Sequence, residues 1–433
     1  MLKTNQINYN IQFEPIFKNF TFNGTEIITL TTTTTDSFTL NSAELDINNC
    51  YLIHKGKTIN VRHSLNTQEE TLNIKTSKKI SGKLKICIQF KGILNDRLLG
   101  FYRSKYKDKA GKTKYLATTQ FEAADARRAF PCWDEPAVKA TFDVSLLVEK
   151  HMTAISNMPE ESKKHVGSKI LVEFQRTPVM STYLLYLGVG EFEFLEDKLR
   201  NIKIRVVTTK GNKKRAKLSL DLTKKFLSEY EKYFGIKYPL PKLDMLAIPD
   251  FAAGAMENWG AITFRETILL YDAKTSSTRT KQYIAEVISH ELAHQWFGNL
   301  VTMKWWNDLW LNESFATFMA TKIVDEFYPE WDLWDQFLDD AMNTAMSLDS
   351  LKTSHPIDVN VNHPSEIRSI FDSISYDKGG CILRMLEHFV GKKNFQKGLK
   401  IYLSKHQYSN AEGSDLWNAI GKVSKQPIDK MMK

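Results

Sequence analysis

Two histidines set four residues apart, in His290-Glu-Leu-Ala-His294, constrain this chain more than any other feature of its sequence. They lie inside Tyr283-Ile-Ala-Glu-Val-Ile-Ser-His-Glu-Leu-Ala-His-Gln-Trp-Phe297, a run with helical apolar periodicity and no Pro or Gly. Residues four apart on a helix share a face, so the two imidazoles project side by side and can offer two nitrogens to one metal ion. Glu291, one residue round from His290, can reach a water at that ion without binding the ion itself. A catalytic zinc takes three protein ligands and keeps a fourth position open, so a neighbouring helix must supply the third. Trp310-Leu-Asn-Glu-Ser-Phe-Ala-Thr-Phe-Met319 opens such a helix, with Glu313 lying 19 positions after His294. That spacing leaves one turn-back loop followed by an antiparallel helix. The apolar positions Leu311, Phe315, Phe318 and Met319 mark its buried side.

The 433 residues suffice for two or three domains with sizeable cores. Residues 1–191 read as strands: alternation runs through Thr25–Leu30, Lys83–Phe90 and Thr141–Val148, with polar or Gly/Asn turns between such runs. The tract Thr31 to Thr35 is simple in composition, but β-branched Thr suits a strand. An all-β domain with an open or saddle-like sheet is expected here. Residues 192–433 read differently. An amphipathic helix is predicted over 213–234, closed by Gly235 and by Pro239 and Pro241 beyond it. Further helices are predicted over 281–299, 311–327, 331–346, 366–370, 376–390 and 393–404, with strand-like pieces at 242–248 and 260–267. A small sheet followed by a helical lobe is an α+β pattern.

Composition narrows the function classes. The net charge of +9 is spread along the chain, and its densest run, Lys210 to Lys217, reads as a solvated loop leading into a helix. No nucleic-acid recognition pattern accompanies it, so no nucleic-acid partner is expected. The four cysteines, Cys50, Cys87, Cys132 and Cys381, form no CxxC pair, which argues against a disulfide framework and against a cysteine metal site. No signal-peptide core and no membrane-length apolar window is visible. A cytoplasmic protein without membrane contact is the expectation.

With the third ligand in place, a resemblance emerges. His290-Glu-x-x-His294, then 18 residues, then Glu313 within Asn-Glu resembles the gluzincin metallopeptidases. Gly254-Ala-Met-Glu-Asn258, continuing Trp-Gly-Ala-Ile-Thr-Phe-Arg-Glu266, is similar to the exopeptidase signature of the aminopeptidase N family, which includes puromycin-sensitive and tricorn-interacting aminopeptidases. The segment Thr119 to Pro136 resembles that family's N-domain stretch, and Ile374-Ser-Tyr-Asp-Lys-Gly379 resembles its tyrosine loop. The similarity runs from about residue 90 to the last residue.

The resemblance implies an all-β saddle-like domain followed by a thermolysin-like α+β catalytic domain, one zinc ion per chain, and peptide substrates with a free N-terminus. It implies His290, His294 and Glu313 as ligands, Glu291 as general base and Tyr376 as oxyanion donor. Glu257 and Glu122 would take the α-ammonium, and Gly254 and Ala255 would line the substrate strand. Gln120, Met256 and Phe371 would wall the pocket for the N-terminal side chain. Asp308 and Glu286 are alternative partners for a ligand histidine. Family members continue past a segment like Asp415–Met432 into a C-terminal helical domain. The chain is therefore expected to lack that domain and to expose an apolar face where it, or a separate subunit, would dock.

Three alternatives were open at this level. A catalytically impaired or subunit-dependent peptide-binding remnant would bind metal without turnover. An epoxide hydrolase of the leukotriene-hydrolysing branch would carry Gly at position 255 and an acid at position 368, where this chain has Ala255 and Arg368. A thermolysin-like endopeptidase is opposed by the exopeptidase signature, because an amine anchor blocks internal cleavage.

Overall fold

The computed structural model describes residues 7–432. Its contacts gather into two compact units whose chain segments interleave. The first takes the chain up to Phe194, Val207–Lys213 and Pro241–Glu266; the second takes Leu195–Val206, Lys214–Leu240 and the chain from Thr267 onward. Gly254–Asn258 therefore belongs to the first unit, beyond the division expected at 191/192.

The first unit is β-rich. Its spine is an antiparallel pair of long strands, Thr21–Asn41 and Thr71–Ile93, inside a nine-stranded sheet. Asn8–Ile16 runs antiparallel to the first of these and parallel to Thr141–Glu149. Strict alternation in Asn8–Ile16 sends Tyr9, Ile11 and Phe13 inward with no exposure, as period-2 patterning demands. Phe13, Phe22, Phe90, Phe101 and Phe130 build an aromatic core from those faces. Two glycines make room for it. A Cβ on Gly24 would stand 2.1 Å from the Phe90 ring opposite it, and one on Gly92 would stand 2.2 Å from Phe22. The low-complexity threonines lie within the long Thr21–Asn41 strand, as expected. A four-stranded sheet holds Gly100–Lys107, Thr113–Gln120, Leu187–Gly190 and Thr153–Ser156. In the same unit Lys242–Ile248 pairs in parallel with Ala261–Arg265, which in turn pairs antiparallel with the two-residue strand Ala255–Met256.

The second unit is mainly helical. Lys217–Phe234 ends on Gly235 in the left-handed region (φ 64°), the stop its sequence announced. Thr278–Ala293 starts at Ser277, whose hydroxyl accepts the Thr280 N–H at 3.1 Å. This helix ends six residues short of the expected 299. The chain leaves it at His294 and turns through Gly298 (φ 123°). Trp310–Phe327 packs against it, with the Phe297 and Phe315 rings stacked 4.2 Å apart. The helix expected at 331–346 is broken into Leu333–Gln336, a wide π-type turn at Phe337–Met342, and Asn343–Asp349. A second π-type turn, Ile374–Lys378, leads into Gly379–Val390. Lys392–His406 and Gly413–Ser424 follow. All four cysteines are free thiols. No helix among the described residues is long and apolar enough to cross a membrane.

Candidate metal centre and amine-recognition segment

His290 and His294 project from the last turn of Thr278–Ala293 and its cap, and Glu313 from the first turn of Trp310–Phe327. Their ligating atoms form a nearly equilateral triangle. His290 Nε2 lies 3.0 Å from His294 Nε2, and Glu313 Oε2 lies 3.2 Å from the first and 3.3 Å from the second. A triangle of that size is one face of a tetrahedron whose centre stands about 2 Å from each corner, the bond length of zinc to imidazole and carboxylate. The donor set therefore fits a divalent cation with one open position. Among the described residues it is the one group of three metal-capable side chains brought so close.

The protonation states suit that fit. Burial holds the His290 imidazole below its ordinary value, and His294 adds to this, although Glu313 opposes it. Burial would raise the Glu313 carboxyl, but the two rings beside it hold it well below the usual carboxylate range. A neutral His290 ring and a charged Glu313 carboxylate are ligand forms. The tautomer of His294 is set by its other nitrogen: Nδ1–H donates to the Phe297 carbonyl at 3.0 Å, leaving Nε2 as the lone-pair nitrogen. That contact exists because the helix stops at residue 293. Asp308 and Glu286, the partners offered by the sequence for a ligand histidine, have the following neighbours. Asp308, pushed up to about 7 by burial and by Asp358, accepts from Trp310 Nε1 at 3.2 Å. Glu286, pushed up to about 7 by burial, has Arg279 and Asp340 as its charged neighbours.

Glu291 follows His290 on the same helix and is buried. The Tyr376 ring lies parallel to the His290 ring, with centroids 6.1 Å apart. Phe371 sits 6.5 Å from both Tyr376 and Trp306. The turn carrying Tyr376 is held by residues that motif reading passed over. Asp372 Oδ1 accepts the N–H groups of Ile374 and Ser375 at 2.9 and 3.2 Å, and its Oδ2 meets His355 Nε2 at 3.0 Å. Asp-x-Ile-Ser is a local turn cue that could have been read from the sequence.

In the first unit, Glu257 and Met256 are buried and Glu122 is half-buried, two residues past the strand that ends at Gln120. Gln120 Nε2 reaches Met256 Sδ at 3.3 Å, so two residues expected to wall one pocket do touch. Gly254 gives its carbonyl to the Arg265 N–H at 2.9 Å, and Ala255 opens the short strand opposite Phe264.

Comparison with known proteins matches two family models in succession along the chain. The model of the peptidase M1 N-terminal domain matches residues 5–184, and that of the peptidase family M1 domain matches residues 218–433. The chain is 46% identical over 427 residues to aminopeptidase M1-D of Oryza sativa subsp. japonica, covering 98% of this chain and 49% of that protein. It is 48% identical over 426 residues to probable aminopeptidase 2 of Sulfurisphaera tokodaii, covering 98% and 52%. It is 45% identical over 434 residues to the puromycin-sensitive aminopeptidase of Caenorhabditis elegans, covering 98% and 46%. The chain thus spans about half the length of the curated relatives it matches.

Proposed function

The chain belongs to the peptidase M1 family, and from that premise we propose that it is a zinc-dependent aminopeptidase that removes N-terminal residues from peptides. The observation that carries the reading is the 3.0, 3.2 and 3.3 Å triangle of His290, His294 and Glu313, with Glu291 on the same helix. Zinc held by these three side chains would supply Lewis acidity, polarising the scissile carbonyl and acidifying water.

The remaining work falls to the chain itself. Glu291 takes a proton from the attacking water and delivers it to the leaving amine. The Tyr376 hydroxyl donates to the oxyanion that develops on the carbonyl. Glu257 and Glu122 accept hydrogen bonds from the substrate's α-ammonium, which limits cleavage to the first residue. Gln120, Met256 and Phe371 contact the N-terminal side chain, and the backbone of Gly254 and Ala255 runs beside the peptide. A reducing compartment such as the cytoplasm suits four unpaired thiols.

Aminoacyl-coumarin substrates with and without N-acetylation test the assignment. Cleavage of the free-amine forms alone, abolished by a chelator and by Glu291→Gln, is the expected result. Metal uptake without turnover would favour a peptide-binding or subunit-dependent role, and cleavage of acetylated substrates would remove the amine anchor.

A further inference from the structure

The segment that carries Glu257 is suspended between two sets of side chains, none of which the reading above employs. On its upstream side, three successive carbonyls are each capped. Tyr102 Oη donates to the Asp250 carbonyl at 3.0 Å, Arg265 Nε to that of Phe251 at 3.2 Å, and Arg265 Nη2 to that of Ala252 at 2.5 Å. Ser104 Oγ accepts the Asp250 N–H at 2.9 Å. On the downstream side, Asn157 Nδ2 donates to the Trp259 carbonyl at 2.9 Å and Lys242 Nζ to that of Gly260 at 2.7 Å.

These donors are themselves anchored. Asn157 also donates to the Leu184 carbonyl at 2.7 Å and accepts the Tyr186 N–H at 2.8 Å. Lys242 is buried against the Asp244 carboxylate at 2.7 Å and the Ser156 carbonyl at 2.7 Å. Between the two clamps the segment meets its neighbour through Ala255 opposite Phe264 and Met256 opposite Thr263, the Arg265 N–H to the Gly254 carbonyl at 2.9 Å, the Ala261 N–H to the Asn258 carbonyl at 2.9 Å, and the side-chain bond from Asn258 Nδ2 to Thr263 Oγ1 at 3.1 Å.

A two-residue strand at the edge of a sheet has few ladder bonds of its own to fix its position. A carboxylate that must meet an ammonium has to be kept within about 0.5 Å of one place, which calls for support from residues behind it. We propose that Arg265 and Asn157 are positioning residues for recognition of the substrate's α-ammonium, fixing the two ends of the segment so that Glu257 keeps one location. The proposal rests on Glu257 acting as the amine anchor. Arg265 is the more informative of the two. Its planar fork reaches two carbonyls at once, and a lysine there keeps the charge but loses the fork. Asn157 is fully buried, and its replacement also removes bonds to Leu184 and Tyr186.

The experiment compares wild type, Arg265→Lys, Asn157→Ala and Glu257→Gln, each loaded with zinc. It reads steady-state kinetics on free-amine aminoacyl-coumarins, thermal melting, and amide hydrogen exchange across residues 250–260 and the His290 helix. The expected result for Arg265→Lys is about a tenfold rise in KM with kcat within about threefold of wild type. Exchange should quicken over 250–260, stay unchanged in the His290 helix, and accompany an unaltered melting temperature. If Asn157→Ala melts early, the lysine variant alone decides. Wild-type KM and wild-type exchange in Arg265→Lys, while Glu257→Gln loses its substrate, would overturn the positioning role and leave the amine anchor standing. A wild-type chain indifferent to Glu257→Gln would overturn both.

Discussion

The Ser314 hydroxyl donates to the Ser375 carbonyl at 2.6 Å, tying the residue after the candidate ligand Glu313 to the residue before Tyr376. The approach is permitted by Gly379, where an added Cβ would stand 1.8 Å from Ser314 Oγ and 2.7 Å from its Cβ. The helix that carries Glu313 and the turn that carries Tyr376 therefore meet at a place only glycine fits. Gly379→Ala should separate them. The expected outcome is a loss of turnover of at least about tenfold and a destabilisation of about 1–3 kcal/mol, the usual cost of overpacking, with the metal still bound. Metal analysis beside steady-state kinetics and melting checks this, and unchanged turnover would contradict it.

Gly298→Ala should act on the metal instead. Gly298 sits at φ 123°, and a Cβ there would meet Asn312 Nδ2 at 3.2 Å and His294 Nδ1 at 3.4 Å. The strain falls on the turn whose Phe297 carbonyl fixes the His294 tautomer. Loss of such an outer partner weakens metal affinity by about 10- to 100-fold. Competition with a fluorescent zinc chelator measures it, and wild-type affinity would show the turn to be dispensable.

Asp372→Ala should lower kcat more than it raises KM. The carboxylate holds the N–H groups of Ile374 and Ser375 and faces His355, but it is not expected to touch substrate. Without it Tyr376 loses its fixed place, and a donor used only in the transition state affects kcat and kcat/KM alike. Asp372→Asn keeps an acceptor for the two N–H groups and should recover most of the activity. Equal losses in both variants would refute the capping account.

A pH prediction comes from Glu26 in the nine-stranded sheet. It is fully buried opposite Ile11 and Ile88, neither oxygen has a hydrogen-bond partner among the described residues, and burial holds its carboxyl well above the usual range. The folded state therefore retains a proton that the unfolded chain releases near pH 4.3. A raised folded value means stability is full below the unfolded pKa and is lost as pH rises toward the folded one. Glu26→Gln should raise the melting temperature at pH 8 and do so less at pH 5, with a gain at pH 8 on the order of 1–3 kcal/mol. Melting curves at the two pH values decide, and a larger gain at pH 5 would have the wrong sign.

Much of this was legible in the residues because the chemistry is local. A helix places positions 290 and 294 on one face whatever surrounds it, and one loop length brings Glu313 back. The strands of the β-rich unit announce themselves through alternation, as Asn8–Ile16 and Thr141–Glu149 do. What escaped depends on distant contacts. The helix was expected to run to 299 because no Pro or Gly interrupts it before Gly298, yet it ends where Phe297 must turn back to His294. Asn157 lies 102 residues from the Trp259 carbonyl it binds, and no spacing rule links a side chain to so remote a backbone. Strand pairing is likewise non-local, so the grouping of 241–266 with the β-rich unit left no mark in the linear pattern.

The most direct test of the central claim is zinc add-back to the chelated chain, followed by metal content and by hydrolysis of a free-amine aminoacyl-coumarin. The account predicts that activity returns in step with one zinc per chain, and that Glu313→Gln lowers zinc retention while Glu291→Gln keeps the zinc and loses the turnover. Full activity after metal removal, or undiminished zinc binding when His290 and His294 are both replaced by Ala, would contradict it.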